Sequence, residues 1–388
     1  MFAMVHAPVY LDYHATTPVD PRVLEAMLPY FTKVFGNPAS ASHAWGWKAQ
    51  EAVESARKDV ATMLGASARE IVFTSGATES NNWAIRGLAE LAPPDRRHVI
   101  VSAIEHKSVL ESAVRLEASG WTVSILPVGD DGIVDMNALN QLLTDNTRLV
   151  SVMAANNEIG VIQPLAEIAA LAHARGALVH TDAAQAAGKI PLDVKTLGVD
   201  LLSLTGHKMY GPKGCGALFI RKSTALEPLI RGGGHEHGMR SGTLNVPGIV
   251  GLAKACSICT AEMAAESRRM TELRNRLLEG LSRALGGVTV NGSLDHRLPN
   301  NLHVNFDGVD GESLLVGIGD IAVSSGSACS SASSTPSHVL SAICHGRAVS
   351  SATIRFGLGR WTTDDEIDYT IEKFTSVVQH LRQTAPAR

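Results

Sequence analysis

From Glu70 to Lys208 the chain alternates short apolar runs with longer stretches in which apolar residues recur at helical spacing. EIVFTSG, HVIVSAIEH, TVSILPV, RLVSVMAANNE, ALVHTDAAQ and LLSLTGHK read as strands, because each is brief and bounded by turn residues. Between many of them ATESNNWAIRGLAELA, KSVLESAVRLEASG and LAEIAALAHARG read as helices, the last two closed by Gly120 and Gly176. This alternation predicts an α/β fold with a mainly parallel, doubly wound sheet whose strands are buried on both faces. Ligands of such a sheet gather at the carboxyl ends of its strands.

Ahead of this region lie a lead-in, YLDYHATTPVDP, a helix over Pro21–Phe31 and a loop, FGNPAS. KAQEAVESARKDVATML follows as a second helix, with Ala49, Val53, Ala56, Val60 and Leu64 on one face. Past about residue 260 the pattern changes. A long charged helix, AEMAAESRRMTELRNRLLEGLSRAL, leads to strands VTVNG and NNLHVNF, a helix near GESLLVGIG and a strand ATIRFGLG. The final helix, TDDEIDYTIEKFTSVVQHLRQ, opens on Thr363 as N-cap with Asp364 and Asp365 in its first turn. The expected division is a large domain over 15–260 and a smaller α+β domain formed by 1–14 and 261–388.

The 388 residues, 45% hydrophobic and 19% charged, suffice for two such domains. A net charge of −4 gives no electrostatic footprint for direct nucleic-acid binding. No apolar run reads as long enough to span a membrane, and MFAMVHAPVYLDY lacks the basic start and apolar core of a signal peptide. The expectation is a cytoplasmic protein with no membrane partner. The cysteines at 215, 256, 259, 329 and 344 are an odd, sparse set that suits free thiols. Cys256 and Cys259 form a C-x-x-C inside the helix-like GLAKACSICTAEM, with no second pair or histidine at metal spacing. They read as core or helix-face residues, and no metal is expected.

Chemistry concentrates at the predicted strand ends. Lys208 follows LLSLTGH in a bend rich in glycine, where a lysine can lose solvation and act as an amine nucleophile toward an aldehyde. Ser75-Gly76-Ala77-Thr78 opens a helix, which suits either a phosphate or a simple capping turn. Asp182 ends ALVHTD and needs a cationic partner, either a protonated pyridine nitrogen or a structural salt bridge. His106 ends HVIVSAIE, where it could stack on a planar cofactor and shuttle protons. The segment around Cys329, SSGSACSSASS, is small, polar and poor in helix formers, which predicts a mobile loop able to carry a thiol.

GATES, EH, NNEIG, HTDAAQ, SLTGHKMYGPKG, GGGHEHGMRSGT and SSGSACSS resemble the motifs of the cysteine desulfurases, pyridoxal-phosphate enzymes of the class V aminotransferase group. The resemblance runs from YLDYHATTP to the last helix. It implies a fold type I enzyme in which Lys208 carries pyridoxal 5'-phosphate and Asp182 pairs with the pyridine nitrogen. It further implies that Gln185 touches the ring hydroxyl and that His106 stacks on the ring as acid–base. Ala77, Thr78, Thr205 and His207 would hold the phosphate, with Thr243 reaching in from the second subunit of a homodimer. Thr205 stands where many relatives have serine, and the hydroxyl is kept. Asn157 would border cofactor and substrate, and Arg355 would hold the carboxylate of L-cysteine by a two-pronged bond. Cys329 would take the substrate sulfur as a persulfide, with His106 the first candidate to accept the thiol proton.

The activity so implied is removal of sulfur from L-cysteine to give L-alanine, with the sulfur passed to an acceptor protein. A class V aminotransferase does not need the cysteine loop, and intact Lys208, His106, Asp182 and Cys329 argue against a non-catalytic regulatory protein. A selenocysteine lyase stays open. Housekeeping relatives usually continue into a longer tail that docks an iron–sulfur scaffold, whereas this sequence ends at Arg388. Two destinations for the sulfur therefore stand: iron–sulfur cluster assembly, or a dedicated acceptor for tRNA thiolation or DNA phosphorothioate modification.

Overall fold

The computed structural model describes residues 8–325, 337–345 and 352–384. Its strands are β1 (Val9–Tyr10), β2 (Ile71–Thr74), β3 (His98–Ser102), β4 (Thr122–Leu126), β5 (Thr147–Ser151), β6 (Leu178–Asp182), β7 (Leu201–Thr205), β8 (Gly216–Ile220), β9 (Val288–Val290), β10 (Asn301–Phe306), β11 (Ile321–Ala322), β12 (Ser324–Ser325) and β13 (Thr353–Gly357). The main sheet has the order β2-β8-β7-β6-β5-β3-β4. Only β8 runs against its neighbours; every other pairing in this sheet is parallel. The expected doubly wound α/β sheet is therefore present.

Alternation along the strands explains the two packed faces. Val72, Val99, Val101, Leu201 and Leu218 point to one side, where Trp83, Ile85 and Leu88 of the helix Ala77–Glu90 cover them. Ile71, Phe73, Ile100, Val150, Leu202 and Leu204 point to the other side, beneath Val53, Val60 and Ile168 of the helices Ala44–Met63 and Leu165–Ala174. Burying both faces requires apolar residues at consecutive positions, which is why these strands read as unbroken apolar runs.

A second, antiparallel sheet has the order β12-β13-β10-β9. Its core joins Leu302, Val304, Phe306, Ile354 and Phe356 to Leu277, Leu281 and Phe374. The lead-in belongs with it, since β1 pairs with β11 and Val9 and Leu11 enter the same core. The helix after residue 260 starts earlier than expected, running over Val246–Ala284, so residue 260 lies inside it. Asn245 caps its start by accepting from the Gly248 N–H, and GLAKACSICTAEM simply continues the helical period.

This helix is long and apolar enough to cross a membrane, contrary to the expectation that no segment is. Its apolar residues are used inside the protein instead. Ile249, Leu252, Cys256 and Cys259 pack into the main core, and Leu273, Leu277 and Leu281 into the second. Burial pushes both thiols of the C-x-x-C up, so they behave as small apolar groups. The expected helix Pro21–Phe31 divides into Pro21–Met27 and Pro29–Thr32, because Pro29 has no N–H to continue the first ladder. Thr363 caps the last helix, accepting from Glu366 N–H at 3.2 Å while Glu366 accepts from Thr363 N–H at 2.9 Å.

Candidate active site

The chain segments leaving β2, β3, β5, β6 and β7 converge on a pocket of about 710 Å³. Ala77, Thr78, His106, Asn157, Asp182, Gln185, Thr205, His207, Lys208 and Arg355 all line it. Thr243 is exposed and lies outside the pocket of its own chain. Cys329 lies outside the described residues.

Lys208 closes the turn Gly206–Lys208 that follows β7. The turn folds back on itself: the N–H groups of Met209 and Gly211 both reach the Gly206 carbonyl at 2.9 Å. A Cβ on Gly211 would stand 3.0 Å from that same oxygen, so a glycine is needed for the close approach. Lys208 Nζ donates to the carbonyls of His14 and Ala15, and its own carbonyl accepts from the buried amine of Lys189 at 2.7 Å.

Beside it, the helix Ala77–Glu90 begins at Gly76, which has no side chain to cap it. Its first-turn amides are left for an anion, with the hydroxyls of Ser75, Thr78 and Thr205 around them. Gly76 has φ +152, a backbone conformation that residues with a side chain rarely adopt. His207 lies at the same end, its ring held by Thr16 Oγ1 at 3.1 Å. Burial, reinforced by the charges of Lys208 and Lys213, lowers its pKa to about 4, so it is neutral at pH 7.

Asp182 is buried at the end of β6. Its Oδ2 accepts from Asn81 Nδ2 at 2.6 Å and its Oδ1 from Ala184 N–H at 2.9 Å. The other Asn81 N–H reaches Ser108 Oγ at 2.9 Å, and that hydroxyl lies 2.8 Å from His106 Nδ1. Nδ1 also accepts from the Ser108 backbone N–H at 3.1 Å. A backbone amide can only donate, so neutral His106 carries its proton on Nε2. Burial is the main cause of its lowered pKa; Lys208 adds to this and Asp182 opposes it. Neutral His106 thus has an Nε2–H to donate in a hydrogen bond, and it can give a proton away only as the imidazolium, after taking one at Nδ1.

Arg355 comes from β13 and lines the same pocket. Its Nη1 donates to the Asn157 carbonyl at 2.8 Å and its Nη2 to Asp12 Oδ1 at 2.8 Å and Ser324 Oγ at 2.9 Å. Its buried Nε has no partner among the described residues, and neither has the buried Asn157 Oδ1. Sequence reading passed over Asp12, His14, Asn81 and Ser108. The motifs YLDYHATTP and GATES contain or adjoin three of them, but only the fold reveals their contacts.

A family model described as aminotransferase class-V matches residues 9–370. A cysteine desulfurase IscS from Anaeromyxobacter sp. (strain K) is 53% identical over 381 residues, covering 98% of this chain and 94% of the relative. Among solved structures, a NifS-like protein gives a TM-score of 0.90 at 41% identity, covering 96% of this chain and all of that one. A second, described as SspA in complex with cysteine, gives a TM-score of 0.81 at 39% identity, covering 92% of this chain and 100% of the other. The chain belongs to the class-V aminotransferase family, and within it to the cysteine desulfurases.

Enzymes of this family depend on pyridoxal phosphate. The residues present fit that group. Lys208 offers an amine for its aldehyde, Asp182 a carboxylate for its ring nitrogen, and the uncapped helix start with three hydroxyls a cradle for its phosphate.

Proposed function

We propose that the chain removes sulfur from L-cysteine, using Lys208, His106 and Cys329 as catalytic groups. When bound, pyridoxal phosphate supplies an electron sink for the substrate α-carbon. The chain's own residues do the rest. Asp182, fixed by Asn81 and the Ala184 N–H, holds negative charge where the ring nitrogen is protonated. Ala77, Thr78, Thr205 and His207 hold the phosphate. Arg355, already aimed by Asp12 and Ser324, takes the substrate carboxylate beside Asn157. His106 serves as acid–base through its imidazolium form, taking a proton at Nδ1 in place of the Ser108 N–H and giving one from Nε2. The Cys329 thiolate attacks the substrate sulfur as the carbon–sulfur bond breaks. In sum, L-cysteine and the Cys329 thiol become L-alanine and a Cys329 persulfide.

The observation that carries this reading is the convergence of Lys208, Asp182, His106 and Arg355 on one pocket. Both described flanks of the Cys329 segment also begin at this site. Ser324 lines the pocket, and His338 Nε2 holds the carbonyl of Glu105, the residue before His106. Lys208→Ala is expected to abolish the visible absorbance of bound cofactor, whereas Cys329→Ser keeps it. A Lys208→Ala protein with the wild-type band would remove Lys208 from this role.

We place the enzyme in the cytoplasm as a homodimer that hands its sulfur to an acceptor protein. Leu24, Leu28, Phe31, Phe35, Trp45 and Trp47 are each 47–63% exposed, a concentration of apolar surface that suits a second copy of the chain. Thr243 then serves the neighbouring subunit's phosphate site. Likeness to proteins named IscS supports an iron–sulfur scaffold as acceptor. The net charge of −4 favours hand-over to a protein, whether that scaffold or a dedicated acceptor, over direct contact with nucleic acid.

A further inference from the structure

We infer that His14 is a positioning residue that locks the side-chain amide of Gln185, so that Gln185 offers an N–H to the ring hydroxyl of the cofactor. This rests on the reading that Gln185 meets that hydroxyl. The argument begins at Arg297, whose buried guanidinium donates from Nη1 to Asn301 Oδ1 at 2.8 Å. A guanidinium cannot accept, so the Asn301 oxygen is identified, and its Nδ2 must be the atom 3.2 Å from His14 Nε2. The same Nδ2 donates to the Glu158 carbonyl at 3.0 Å, in agreement. His14 Nε2 therefore keeps its lone pair. The ring is fully buried and faces the cations of Arg355, Lys189 and Lys208, all of which oppose a positive charge on it. A neutral ring with an occupied Nε2 lone pair carries its proton on Nδ1.

That proton points at Gln185 Oε1, 2.9 Å away. Gln185 Nε2 in turn donates to the His14 carbonyl at 3.0 Å. The two contacts form a fork that a flipped amide cannot satisfy: turned over, it would set N–H against N–H and oxygen against oxygen. Lys208 Nζ donates to the same His14 carbonyl, so the nitrogen side of Gln185 is the Lys208 side. In pyridoxal phosphate the ring hydroxyl sits next to the aldehyde carbon that an amine takes. The free N–H of Gln185 is thus on the side where the ring oxygen belongs, and a donor there favours the ionised form of that oxygen.

The test is a pH titration of the visible band of the holoenzyme. Gln185→Ala is expected to raise the midpoint by about half a pH unit or more, a roughly threefold rise in proton affinity. His14→Phe should raise it in the same direction, and His14→Phe/Gln185→Ala should add nothing to Gln185→Ala alone. His14→Asn, whose amide nitrogen takes the place of Nδ1, should stay at the wild-type midpoint. A wild-type midpoint in His14→Phe beside a shifted Gln185→Ala, or shifts that add, overturns the role of His14. An unmoved midpoint in Gln185→Ala overturns the reading of Gln185 itself. Should His14→Phe not fold, histidine ¹⁵N resonances of the wild-type holoenzyme decide: His14, identified by its loss in His14→Asn, must carry the proton on Nδ1, and a proton on Nε2 refutes the inference.

Discussion

Glu105 stands directly before His106, wholly buried, and burial pushes its carboxyl up to about 8. Its Oε1 accepts from Ser102 Oγ at 2.7 Å and from the Met153 N–H at 2.6 Å, while its Oε2 has no partner among the described residues. In the folded chain it keeps a proton at pH values where an unfolded glutamate has lost one. The unfolded state then binds fewer protons, so this group makes stability fall as pH rises from 4.5 toward about 8. Glu105→Gln keeps the acceptor and cannot ionise. Its melting temperature is expected to match wild type near pH 4 and exceed it at pH 8; equal values at both would refute a protonated Glu105. Lys208, Asp182 and His106 were legible in the sequence because each ends an apolar run and shares a motif. Asp12 and His14 were not, since their meaning lies in contacts 343 and 171 residues away, with Arg355 and Gln185.

At the scale of elements, two ion pairs pin the segment GGGHEHGMR to the helices Ala44–Met63 and Ala77–Glu90 that flank the main sheet. Glu236 accepts from Arg57 at 2.7 and 2.8 Å and from the Phe73 N–H at 2.7 Å, with both side chains of the pair buried. Arg240 reaches Glu79 at 2.9 Å, and Glu79 also accepts from the Ser75 N–H at 2.8 Å, at the phosphate cradle. Arg57→Met leaves a buried, unpaired carboxylate and is expected to cost about 3–5 kcal/mol in chemical denaturation. Adding Glu236→Gln, which keeps the acceptor for Phe73, should recover part of that loss. No recovery would mean that the arginine acts by packing alone. The parallel strands were readable from their length and boundaries. β8 was not, because the glycines at 211, 214 and 216 present that stretch as loop, and only its pairing with β2 and β7 makes it a strand.

For the whole molecule, the helix Val246–Ala284 joins the two cores, and the sequence hid its full length behind a change of composition near residue 260. The proposed homodimer would cover the exposed apolar residues between Leu24 and Trp47. Phe31→Asp, at a residue 58% exposed, is expected to shift the sedimenting species from dimer to monomer. A wild-type protein that sediments as a monomer would contradict the shared site at Thr243. The reaction itself is tested most directly by alanine release from L-cysteine with a reductant present, wild type beside Cys329→Ser, both loaded with cofactor. Wild type is expected to release alanine and sulfide in equal amounts and Cys329→Ser neither. Alanine with transferable sulfur from Cys329→Ser, or no alanine from wild type with its cofactor bound, would contradict the desulfurase assignment.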